Sequence, residues 1–152
     1  MRISEEDQIS TDFDWFCVDQ SGHVGHFASA GFKSIPSSVA RSGEDLKAVT
    51  DFLKRLPARP GAHQIEGYLG PDQKSERYLR SFIAMADRGL YSFDIGSYLS
   101  PDIHYFRVAS PREPLKANEL PRMIREILSR TVLRDTSLSR STRVSYMETL
   151  EI

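Results

Sequence analysis

The chain has one cysteine and one tryptophan in 152 residues. A lone thiol excludes an internal disulfide framework and suits a reducing compartment. No apolar run approaches the ~20 residues of a membrane span. The opening MRISEEDQIS is polar and acidic and lacks the apolar stretch of a secretory signal. A cytoplasmic protein that engages no membrane is therefore expected. A surplus of charge is missing too. Twenty Lys and Arg face 21 Asp and Glu, for a net charge of -1, which argues against a general nucleic-acid binder.

Complete chemical motifs are also lacking. Gly67-Tyr68-Leu69-Gly70 precedes a helical pattern and Gly22 and Gly25 fall in a hairpin, but neither fits a phosphate or dinucleotide loop. Ser29, in Ala28-Ser29-Ala30-Gly31, lacks the Gly-x-Ser-x-Gly of a nucleophile elbow. Asp12, Asp14 and Asp19 lack the glycine and distal glutamate of a calcium loop. No cofactor is expected.

What is present is most legible from Asp14 to Gly31. Trp15-Phe16-Cys17-Val18 and Val24-Gly25-His26-Phe27 are rich in strand formers. Between them, Asp19-Gln20-Ser21-Gly22 fits a type I turn closed by a left-handed glycine. Setting Asp19 opposite His23 pairs Val18 with Val24, Cys17 with Gly25, Phe16 with His26 and Trp15 with Phe27. Opposed residues share a face. Phe16, Val18, Val24 and His26 then lie on one side and Trp15, Cys17, Gly25 and Phe27 on the other. Large apolar groups on both sides predict a central hairpin covered on two faces. Gly25 is expected to make room for Trp15 or a helix residue.

Downstream, residues 1–11 read as a frayed lead. Ser42 is a good N-cap for a helix bearing Leu46, Val49, Leu53 and Leu56 on one face. A Pro/Gly-rich connection with a short extended piece near Ile65 leads to a second helix, beginning near Asp72 or Ser75 and ending at Gly89. Leu90–Ile95 and Ile103–Val108 alternate as an antiparallel pair of strands. Pro121 fits the first turn of a third helix. The tail from Asp135 to Ile152 is rich in Ser, Thr and Arg, with Thr142–Tyr146 the best anchoring strand. The expectation is a single α+β domain: an antiparallel or mixed sheet of about five strands and two or three packed helices.

Two sets of residues are candidates for function. A thiol dyad of Cys17 with His23 or His26 is disfavoured by the register, which puts His26 on the opposite face and His23, on the same face, at the hairpin end several residues along; Cys17 reads as a buried structural thiol. His23 and His26, three apart on a strand, cannot share one metal ion without distortion. His26 and His104 with Asp94 or Asp102 form a conceivable hydrolase pocket, with or without a metal, if the two hairpins are neighbours. The other set is for binding. Residues 1–32 carry six acids and one base, and residues 107–143 carry nine bases and four acids. This polarity serves either to dock the two ends or to meet a charged partner. Asp12, Asp14 and Asp19, with Tyr98 and Asp102 in the loop between the later strands, are the candidate contacts.

The run from Asp14 to Phe27, in the pattern D-W-F-x-V-D-x-x-G-x-[VI]-x-H-F, with Ala30-Gly31-Phe32 and Pro36 after it, resembles the opening of a group of small uncharacterised bacterial proteins. Gly89-Leu90-Tyr91-x-Phe93-Asp94 and Pro111-x-x-Pro114-Leu115 are similar as well. The resemblance is specific over about the first third of the chain and carries over no catalytic residues. It implies a small cytosolic protein, in some cases an immunity partner of a polymorphic toxin. The leading expectation is thus a non-enzymatic module that binds a protein, with the His/Asp hydrolase as the alternative.

Overall fold

The hairpin forms in the register its residues dictate. The structure, a computed structural model, describes residues 1–31, 35–96, 104–145 and 149–151. Strand β1 (Asp14–Asp19) pairs antiparallel with β2 (Val24–Ala28), matching Trp15 with Phe27, Phe16 with His26, Cys17 with Gly25 and Val18 with Val24. Asp19 closes the turn: its Oδ1 accepts from the amides of Ser21 and His23, both at 2.9 Å. Gly22 sits at φ 84°, where a side chain would be strained.

The sheet is larger than the sequence suggests, with eight strands among the described residues rather than about five. Its order is β3-β5-β4-β2-β1-β6-β8, where β3 is His63–Ile65, β4 Tyr91–Ile95, β5 His104–Pro111, β6 Thr131–Leu133 and β8 Thr149–Glu151. Strand β7 (Arg143–Ser145) shares the outer edge of β5 with β3. The sheet is mixed, since β2 runs parallel to β4 and β1 parallel to β6. The hairpin is therefore central. It is flanked on one side by the β4–β5 pair and on the other by strands too short to show an alternating pattern.

Helices cover one face. Helix α3 (Gly43–Arg55) starts at Ser42, whose hydroxyl accepts from the Asp45 amide, and buries Val49 and Leu53. Helix α4 (Glu76–Asp87) is capped by Ser75 and buries Leu79, Phe82 and Met85. With α5 (Arg122–Leu128), these two pack against Phe16, Val18 and Val24 of the hairpin and Val108 and Ala109 of β5. A bulge in the β4–β5 pairing between Ser92 and Phe93 lets both Phe106 and Ala109 join this layer.

The opposite face is an aromatic stack. Trp15 stacks on Phe27 with centroids 4.3 Å apart, Phe27 on Phe93 at 4.8 Å, and Tyr105 meets Trp15 and Phe27 edge-on. The Trp15 indole donates to the Tyr105 hydroxyl, so its one polar atom is satisfied where it is buried. Ile3, Ile35, the short helix α2 (Ser37–Ala40), Leu138 and Val144 close over the stack. Gly25 lies beneath Phe27 and Leu138 rather than beneath Trp15 or a helix. A Cβ there would come within 2.8 Å of Phe27.

The N-terminal end differs from its expected role, while the anchoring strand expected within 142–146 forms as β7. Residues 5–10 form a helix, α1 (Glu5–Ser10), not a frayed lead. Ser4 caps it, Glu5, Glu6 and Asp7 occupy its first turn, and Gln8 is buried. The acidic and basic ends do meet, but through backbone. The Leu138 amide donates to Asp19 and Lys116 Nζ donates to the Ser21 carbonyl. Arg107 and Arg130 instead pair with Glu66 and Asp45, from the middle of the chain. No helix is long and apolar enough to cross a membrane, among the described residues.

Candidate functional site

The helix-side face changes character along the strands. Near the hairpin turn it is apolar, with Val18 and Val24 buried. Two pairs further on come Phe16, His26 and Ser92, and one more step brings Asp14, Ala28 and Asp94. The alternation that puts Phe16 inward also puts Asp14 on the same face at the strand's first residue. Asp14 and Asp94 both pair across to Ala28. They therefore stand two strand spacings apart, about 9.5 Å between Cα atoms, with only a methyl group between them.

These residues form one end of an open cleft of about 660 Å³. Asp14, Ala28 and Asp94 line its sheet side. Helix α3 contributes Lys47, Asp51 and Lys54, and α4 contributes Tyr78 and Phe82. Asp12 and Phe13, on the segment leading into β1, complete the wall. Lys47 and Asp51 pair with each other at 2.6 Å. The remaining charged lining is three carboxylates, Asp12, Asp14 and Asp94, and one ammonium, Lys54. A separate void beside Phe16, Leu46, Val49 and Leu128 holds only about 20 Å³, the scale of one water, and is packing slack rather than a site.

His26 anchors the site from below. It is 1 % exposed. Its Nδ1 lies 2.6 Å from Ser92 Oγ, which is wholly buried. Its Nε2 lies 3.1 Å from Asp14 Oδ2, within ion-pair reach but without the alignment of a full hydrogen bond. Ser, His and Asp thus stand in a line, but in the reverse of a nucleophilic triad. The serine is at the dry end and the carboxylate faces the cleft, where a triad would present the serine.

The two cleft carboxylates are tuned in opposite directions. Burial pushes Asp14 up, but contact with the His26 imidazole, its charge and that of Lys54 prevail and hold Asp14 below the usual carboxylate range. Burial also pushes Asp94 up. There the hydrogen bond from Tyr78 Oη at 2.6 Å and that from the Ile95 amide at 2.9 Å only partly compensate, and Asp12 adds repulsion, so Asp94 lies above its ordinary value. Such opposed environments give two identical side chains different duties at one pH.

Of the hydrolase set, His26 and Asp94 come together at this cleft. His104 shares their face, two pairs beyond Asp94, with its ring over Gly96. Asp102 lies outside the described residues. Of the binding set, Asp12 and Asp14 line the cleft, while Tyr98 and Asp102 lie outside the described residues. Asp19 is no surface contact. It is 4 % exposed, and its carboxylate accepts from the amides of Ser21, His23 and Leu138. Cys17 is buried, and burial together with the Asp19 charge pushes its thiol well above the ordinary range. That is the reverse of what a reactive thiolate needs. Among the described residues, no three His, Cys, Asp or Glu side chains are grouped to hold a metal ion.

Sequence reasoning missed Ser92, Tyr78 and Lys54. Ser92 carried a signal: it is a small polar residue at a position whose alternation with Tyr91 and Phe93 puts it on the same face as Asp94. Tyr78 and Lys54 become visible only once the helices are laid on the sheet. No family model, curated protein or solved structure matches the chain.

Proposed function

We propose that the chain is a protein-binding module whose cleft receives a basic segment of its partner. The observation that carries this reading is the lining. Three carboxylates against one ammonium leave a negative cleft, and Phe13, Tyr78 and Phe82 add aromatic walls. Carboxylates with aromatic faces suit an arginine or lysine side chain, through ion pairing and cation–π attraction. The groups that would support nucleophilic chemistry, Ser92 and Cys17, are buried away from it. In the immunity role that the hairpin resemblance suggests, the partner is a bacterial toxin met in the cytoplasm.

The test is to titrate short arginine-bearing peptides, and glutamate-bearing controls, into the isotopically labelled protein. The reading predicts that the basic peptides bind, with NMR shifts concentrated at Asp12, Asp14, Tyr78 and Asp94. It also predicts that Asp14→Asn with Asp94→Asn weakens binding roughly tenfold or more, the ~1.5–3 kcal/mol expected of hydrogen bonds to charged groups. Equal binding of acidic and basic peptides, or shifts elsewhere on the surface, would overturn it.

A second reading is favoured by the opposed tuning of Asp14 and Asp94. A hydrolase would use Asp94 as proton donor and Asp14 as base, with His26 behind it. It predicts turnover of chromogenic ester or glycoside substrates that disappears in Asp94→Asn. Turnover that survives this change would remove the assignment.

A further inference from the structure

The line Ser92–His26–Asp14 has a direction, and the direction assigns work. Ser92 Oγ is wholly buried and lies 2.6 Å from His26 Nδ1. A neutral imidazole carries one proton, on Nδ1 or on Nε2. With a carboxylate 3.1 Å from Nε2, a lone pair there would face negative charge, so Nε2 must carry the proton. Nδ1 is then an acceptor, and the Ser92 hydroxyl is placed to donate to it. The carboxylate thus selects the tautomer; the serine hydroxyl, which can donate or accept, answers it by donating and holds the ring with Nε2 beside Asp14 Oδ2. Asp14 itself lines the cleft.

We propose that Ser92 and His26 are positioning residues for Asp14, which together fix one carboxylate oxygen and so present Asp14 as the principal polar contact of the cleft. The register makes this possible. Phe16, His26 and Ser92 lie side by side across β1, β2 and β4, and Asp14 begins β1 one step further along the same face. Around the imidazole, Phe16 and Phe82 pack with centroids 5.6 and 6.0 Å away, so no solvent competes for its nitrogens. The charged and titratable groups that share the surroundings of Asp14 are Lys54 from α3, Asp94 from β4, Tyr78 from α4 and Asp12 on the incoming segment. Of these, Lys54 acts in the same direction as His26, and Asp94 stands on the far side of Ala28. A buried histidine serving only the core has no need of a carboxylate at a cleft mouth. A histidine held by a dry serine on one nitrogen and facing a cleft acid with the other is arranged as an orienting group.

This inference rests on the cleft reading only in taking Asp14 as the working group, and its test uses no ligand. The imidazole nitrogen NMR shifts of His26 report the tautomer in the unaltered protein, so that measurement does not depend on any variant folding. Side-chain carboxyl carbon shifts, followed through an acid titration, report Asp14. The proposal expects the Nε2–H tautomer in the native protein. In Ser92→Ala it expects the ring released from its hold on Nδ1 and an Asp14 titration midpoint moved upward, toward that of a free aspartate. In His26→Gln the midpoint rises further. Lys54→Met, which leaves the relay intact, raises it less than His26→Gln does. A native Nδ1–H tautomer, or an Asp14 midpoint that is unmoved in folded Ser92→Ala, would overturn the proposal. Failure of the basic peptides to bind would instead sink the cleft reading and leave the relay standing.

Discussion

The two faces of one sheet are made from alternate residues of the same strands, and they solve different problems. On one, Trp15, Phe27, Phe93 and Tyr105 form a dry stack in which the indole nitrogen donates to the Tyr105 hydroxyl. On the other, the positions one residue away are Phe16, His26, Ser92 and Asp94, and the face runs from apolar near the turn to charged at the cleft. Burying His26 and Ser92 carries a desolvation cost that a methyl or an aromatic ring would not. The aromatic face shows that this chain can pack without such groups. On the helix-side face of β2 and β4, His26 and Ser92 lie in line with Asp14 at the wall of a cleft, and that is the argument for function there.

The comparison can be broken first on the aromatic side. Trp15→Ala removes the centre of the stack and should cost about 3–5 kcal/mol, the range for a large buried aromatic. Urea denaturation measures this, and a loss under about 1 kcal/mol would mean that the stack is not the main core. Asp19→Ala is next. It leaves the amides of Ser21, His23 and Leu138 without their acceptor, and about 1–3 kcal/mol is expected for a buried donor left unpaired. Rapid hydrogen exchange at Leu138 would accompany it. A Gly25→Ala protein puts a methyl group against Phe27 and Leu138, an overpacking of about 1–3 kcal/mol.

The smallest effects are on the cleft side, and their signs sharpen the comparison. Asp14 lies low in the folded state. Its ionised form therefore favours the native protein, a contribution present above the unfolded value of about 3.9 and lost as pH falls through the lower folded value. Asp94 lies high. Its ionisation opposes folding at neutral pH, and that penalty fades below the unfolded value. Asp14→Asn should thus lower stability at pH 7 and Asp94→Asn raise it. Both differences should shrink in acid, as thermal melts at a series of pH values would record. Two variants moving in the same direction would refute the opposed tuning.

Much of this was legible in the sequence where interactions are local. Asp19-Gln20-Ser21-Gly22 specified the turn, the turn set the register, and the register separated Cys17 from His26. Ser42 with Glu44 and Asp45 announced α3, and the cap is as expected. Helix α1 had the same kind of signal in Ser4, Glu5, Glu6 and Asp7, hidden in a segment read as a polar lead. Strands β6 and β8, at three residues each, are too short for a period-two pattern to register. Strand β6 pairs the edge that β1 offers, and β8 in turn pairs β6.

The cleft was half legible. Asp14 and Asp94 were each singled out, but for different purposes, and nothing local joins them. They meet because β2 pairs parallel with β4 after a long crossover through α3 and α4. That pairing is non-local and lies beyond any reading of alternation or capping. Ser92 matters only once His26 is known to sit beside it.

The central claim is that the charged end of the helix-side face is built for a ligand and the aromatic face for stability. The most direct measurement is binding of an arginine-bearing peptide to Asp14→Asn/Asp94→Asn and, separately, to Gly25→Ala, with the stability of each recorded alongside. The account predicts that the cleft variant loses binding while keeping its fold, since its two stability effects oppose each other. It predicts that Gly25→Ala loses stability but binds as the native protein does at temperatures where it is folded. A cleft variant that binds the peptide undiminished would contradict the account.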